Sequence, residues 1–126
     1  MTHIDNSKVF HNGVYADASV LVPANTTYKI GTVLGRNADG DLTGYTSAVE
    51  GSTPLYILAQ TVTNETASPL TCDLVRVFDS GVVDKNGLIF VNSSDATNDE
   101  VLDALKVNNF RLVNVEELTN ASALAE

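Results

Sequence analysis

Three kinds of group in this 126-residue chain have side chains suited to chemistry: His3 and His11, the lone Cys72, and the oxygen-rich run Asn37-Ala38-Asp39-Gly40-Asp41. An imidazole titrates near neutrality and ligates metals, but only when neighbouring groups hold the ring in place. Both histidines lie in the opening residues 1–20, where scattered apolar positions follow neither a helical nor an alternating period. They are expected to be exposed polar residues, and no metal site is expected of them. A nucleophilic thiol needs a partner base and an electropositive setting. Cys72 sits in the apolar run Leu70–Phe78, so it is expected to be a small core residue.

Alternate oxygen ligands at Asn37, Asp39 and Asp41 match the taste of a hard cation such as calcium. The bidentate glutamate that closes an EF-hand loop is missing at its spacing, and Gly40 comes two positions early. Asn, Asp and Gly are also what a tight turn requires of its backbone, so a hairpin turn is the expectation. The chain has no nucleophile elbow, no glycine-rich phosphate loop and no paired zinc motif. Its carboxylates fall in turns, at a helix start and in the tail. Asp73, set in an apolar strand, is expected to point outward. The Asn-X-Ser/Thr sequons at Asn25, Asn64, Asn92 and Asn120 are expected to go unused. No enzyme, cofactor or small-molecule substrate is expected.

Such groups would have to be held by elements, and those elements are mostly β. The formal net charge of −9 repels phosphate and argues against nucleic acid. With one cysteine no internal disulfide can form, and no apolar run approaches a membrane span. The opening residues lack a basic cluster followed by an apolar block, so no signal peptide is expected. Residues 1–20 read as an extended arm, residues 21–118 as one β-rich domain, and 119–126 as a polar tail. Ser19–Val22 is a short strand stopped by Pro23, and Asn25–Ile30 is a second. Gly31 and Gly35 bracket a third, which turns on Asp39-Gly40 into a strand resuming at Leu42. The run Leu55–Val62 is the most apolar and is expected to be central. Leu70–Phe78 places Leu74, Arg76 and Phe78 on one face, with Val75 and Val77 on the other. Asn86-Gly87 predicts a type I′ hairpin between apolar strands. A single helix is expected over residues 93–109. Thr97 and Glu100 form its capping box, and Val101, Leu102 and Leu105 form its apolar stripe. A closing strand follows at Phe110. The fold class is therefore mostly β with one C-terminal helix (α+β), a small barrel or β-tulip-like domain.

The segment from Tyr28 to Val113 resembles the head decoration proteins of tailed bacteriophages, the group that includes the lambda head decoration protein. The resemblance is carried by Gly31-Thr32-Val33-Leu34-Gly35, the turn glycine Gly40, Tyr45, the Glu50-Gly51-Ser52 loop, the strand Tyr56-Ile57-Leu58-Ala59, and the late helix and strand from Asn98. It implies a homotrimer on the outside of a capsid, at local three-fold positions, made in the bacterial cytoplasm. It also implies that the N-terminal segment reaches the major capsid protein and that no catalysis occurs. The contacts themselves are read from the residues. Ile4, Val9, Phe10, Val14 and Tyr15 are the apolar side chains of the arm, and a purely solvated tail rarely keeps aromatics. They are the candidate capsid-binding set. Other readings are a tail or fibre module, a carbohydrate-binding β domain, disfavoured by the absence of tryptophan, and an enzyme on a β scaffold, disfavoured by the lack of a convergent nucleophile and base.

Overall fold

Alternation along three neighbouring strands organises the molecule. The structure, a computed structural model, describes residues 10–49, 52–107 and 110–113. Among these residues eight strands run in chain order: β1 (Phe10–Val22), β2 (Thr26–Tyr28), β3 (Val33–Arg36), β4 (Leu42–Gly44), β5 (Pro54–Leu58), β6 (Val62–Asn64), β7 (Leu70–Asp84) and β8 (Phe110–Val113). One helix, α1 (Asp99–Val107), precedes β8. The main sheet has the order β1-β7-β5-β3-β4, and β8 also joins β7, in parallel; β2 and β6 form a separate pair. Successive strand residues face opposite sides of a sheet. Val33, Ile57 and Phe78 therefore enter one core with Val101 and Leu105 of α1, while their chain neighbours Leu34, Leu58 and Val77 enter a second core with Tyr28 and Val62 of the small pair. A sheet covered on both faces needs apolar residues at consecutive positions. That is why Leu55–Ala59 reads as an unbroken apolar run.

The expected central strand exists, and β5 lies between β7 and β3. The apolar run is nevertheless split. β5 ends at Leu58, and Val62 belongs to β6 in the other sheet. The Asp39-Gly40 hairpin forms between β3 and β4, with Gly40 at φ 86°, a left-handed conformation that suits glycine. In β7, Val75 and Val77 share one face as expected. Asp73 and Leu74 together oppose Ser19 in a bulge, and Leu74 is exposed at φ 55°.

Three expectations need correction. The sheets are not closed into a barrel: β1 and β4 end the main sheet, and the Thr43 hydroxyl spans them by donating to the Leu21 carbonyl at 2.7 Å. β4 is three residues long, too short to ladder along a 13-residue neighbour. The Asn86-Gly87 hairpin is absent. Lys85–Gly87 is a 3-10 turn, the edge of β7 from Gly81 to Asp84 is taken by β8, and Leu88 and Phe90 pack on the helix-side core. Ile89 instead bridges Thr32 in parallel. The helix is shorter than expected, because Ser93–Thr97 forms its own 3-10 turn. The cap is Asn98, whose side chain accepts from the Glu100 amide at 3.0 Å, while the Thr97 hydroxyl bonds back to Ser94.

Candidate functional site: the terminal strand and its supports

The longest pairing among the described residues joins β1 to β7, from Phe10 opposite Val83 to Val22 opposite Leu70. β1 forms one end of the main sheet, so its outer edge carries no strand among the described residues. Such an edge is a template for pairing with another chain. Val14 is 56 % exposed and Tyr15 48 % exposed. The Tyr15 ring lies 4.5 Å, centroid to centroid, from that of buried Phe78, and the Arg76 guanidinium sits 5.2 Å from the Tyr15 centroid. Tyr15 thus contacts two side chains of β7, and a side chain restrained before docking is a cheaper binding anchor than a freely rotating one. Phe10 opens the strand. Ile4 and Val9 lie outside the described residues, as does His3. His11 lies in β1.

Two polar clusters stiffen the frame. Asn64 is buried; its amide nitrogen lies 3.0 Å from the Val22 carbonyl, 3.1 Å from that of Pro23 and 2.8 Å from that of Ser68, while its oxygen accepts from the Thr66 amide and hydroxyl. This side chain locks the end of β1 to β6 and to the loop entering β7. Asp95 is also buried. It accepts from the Ser47 amide at 3.1 Å and the Ser47 hydroxyl at 2.6 Å, tying the loop after β4 to the turn before α1. Burial, with a smaller contribution from the Asp95 charge, raises the Tyr45 phenol above its ordinary value.

The groups first weighed for chemistry are used locally. The Asn37 side-chain oxygen accepts from the amides of Asp39 and Asp41, so it serves the turn. Asp73 points outward and accepts from the Ser19 hydroxyl at 2.8 Å. Cys72 is half-buried beside the second core. Among the described residues no three of His, Cys, Asp and Glu are grouped to hold a metal. A cleft of about 310 Å³ is lined by Arg36, Asn37, Val49 and Leu55. Among the described residues no histidine or cysteine lines it. The arrangement offers surfaces and edges for binding. Sequence reasoning missed the exposure of Leu74, Ile89 and Val91, because each lies in a run that reads as strand interior.

The sequence model of bacteriophage lambda head decoration protein D matches residues 2–108, most of the chain. No curated protein matches it. The chain belongs to this family of structural phage head proteins, which gives it a capsid decoration role and a location on the phage capsid.

Proposed function

We propose that this head decoration protein acts as a homotrimer on the outer face of the capsid. It sits at local three-fold positions, where its N-terminal segment clips onto the major capsid protein and holds neighbouring shell subunits together. The carrying observation is the position of Val14 and Tyr15, exposed on the terminal strand of the sheet in a chain of this family. Together with Ile4, Val9 and Phe10 they form the contact set. Each apolar side chain, if fully buried, contributes about 1.5–3 kcal/mol. Ordering a loose segment costs about 1–2 kcal/mol per residue, so one arm binds weakly. Residues from Phe10 onward already lie in β1 and carry no such cost on docking. Three arms acting together supply the rest through linkage. The charge of −9 per chain keeps free copies soluble, and salt screens it over roughly 8 Å.

The test is co-sedimentation with undecorated heads. A chain lacking residues 1–9 keeps β1 whole, so it should remain folded and bind the heads far more weakly. Val14→Asp should do the same without any truncation. Full binding by both variants would exclude the clip. Electron microscopy of decorated heads then reports whether the copies stand in threes.

A further inference from the structure

We propose that Arg76 belongs to the capsid-contact surface and receives a carboxylate side chain of the major capsid protein beside Tyr15. The proposal rests on the clip reading above and names the chemical group that the clip meets. Arg76 lies on β7, not on the arm, and is exposed. Its backbone is committed: the amide donates to the Gln60 side-chain oxygen at 3.1 Å, and the carbonyl accepts from the Ala59 amide at 3.0 Å. Its side chain is not. The guanidinium reaches over the exposed Tyr15 ring, 5.2 Å from the centroid. Asp17 stands opposite Arg76 in the ladder, and directly opposed residues share a face of the sheet. Among the described residues, however, the guanidinium forms no ion pair and no hydrogen bond. A guanidinium carries a fork of N–H donors, and a contact with a ring satisfies none of them as a hydrogen bond.

Charge complementarity selects a carboxylate as the occupant. The chain carries 16 acidic residues against 7 basic ones, so a partner's carboxylate is repelled over most of the surface. Salt screens exposed charges over roughly 8 Å, so the groups closest to a contact decide its sign. At Tyr15 the cation in contact is Arg76. The guanidinium fork accommodates a carboxylate through two parallel N–H···O bonds, and charge-assisted bonds of this kind are the stronger ones. Tyrosine and arginine are also the residue types that carry binding energy where neighbouring contacts exclude water. Tyr15 supplies the apolar wall and Arg76 the polar contact. Asp17 faces the same space and tempers the attraction.

Co-sedimentation with undecorated heads at two salt concentrations tests this. Arg76→Gln should bind about tenfold more weakly than the unsubstituted protein at low salt, and by under about threefold at high salt, where the ion pair is screened. Equal binding at low salt, or an equal loss at both salts, would overturn the proposal, the second by reducing Arg76 to packing on Tyr15. Arg76→Lys keeps the charge and should stay within about threefold of the unsubstituted protein at low salt; a loss as large as that of Arg76→Gln would again mean packing. Asp17→Asn removes the carboxylate facing Arg76 and should bind at least as tightly. Weaker binding by Asp17→Asn would mean that the partner brings a cation, and would overturn the proposal from the other side. The arm variants separate the failures. If the chain lacking residues 1–9 and Val14→Asp lose the heads while Arg76→Gln keeps them, the clip stands and the carboxylate contact falls; if all three bind fully, both fall.

Discussion

The rings of Tyr15 and Phe78 lie 4.5 Å apart with their planes inclined by 33°, joining an exposed strand residue to one at the heart of the helix-side core. The pair is a cross-strand neighbour in the β1–β7 ladder. Aromatic pairs of this kind contribute about 0.5–1.5 kcal/mol beyond the area they bury. Tyr15→Ala should lower unfolding stability by about 1–3 kcal/mol in urea titrations. Tyr15→Phe keeps the packing and should lose under about 0.5 kcal/mol. A head-binding defect in Tyr15→Phe, at unchanged stability, would assign the hydroxyl to the capsid contact.

Asn64 joins three segments through one side chain. Removing it leaves the buried carbonyl of Val22 without its donor and frees the loop before β7. An unsatisfied buried polar group costs about 1–3 kcal/mol, so Asn64→Ala should destabilise by at least that much. Asn64→Asp, which turns an oxygen toward three carbonyls, should be worse. Thr66→Ala removes one hydroxyl donor and should cost about 1 kcal/mol. Equal midpoints of denaturation for Asn64→Ala and Thr66→Ala would contradict this ranking.

Alkaline pH should weaken the fold through Tyr45. Its phenol is raised above the ordinary tyrosine value, chiefly by burial and secondarily by the Asp95 charge. The folded state therefore holds the proton more tightly than the unfolded chain. The stabilisation is complete below the unfolded value and is lost as pH rises through the folded one. Tyr45→Phe should flatten stability in that alkaline window. Asp95→Asn should bring the phenol part of the way back, leaving the burial contribution. Tyrosinate absorbance across the titration, wild type minus Tyr45→Phe, reads the shift directly.

Leu74 holds a left-handed backbone, φ 55°, while 78 % exposed. Non-glycine residues in that region carry about 1 kcal/mol of strain, and asparagine tolerates it better than leucine. Leu74→Asn should be neutral or raise stability by up to about 1 kcal/mol. The same change at Val75, which is 2 % exposed, should cost several times as much. A loss of stability in Leu74→Asn would mean that the leucine packs within the folded domain.

Much of this was legible from local rules. Alternation identified β7 and its valines, Asp39-Gly40 identified a turn by its backbone needs, and the stripe of Val101 and Leu105 identified the helix. The motif order from Gly31 onward pointed to the family, and the match over residues 2–108 bears it out. What failed depended on competition between distant segments. Asn86-Gly87 favours a hairpin in isolation, but β8, arriving some 25 residues later, occupies the edge that the hairpin would use. Asn64 looked like a sequon and is a buried hub, because its partners at Val22 and Pro23 are distant in the chain. The exposure of Val91 likewise follows from which face the helix covers. The sequence by itself determined which segments turn, extend or coil, since those preferences act over a few residues. Only the tertiary structure decided which edges are left open and which apolar residues are left outside, since both depend on how many segments compete for the same surface.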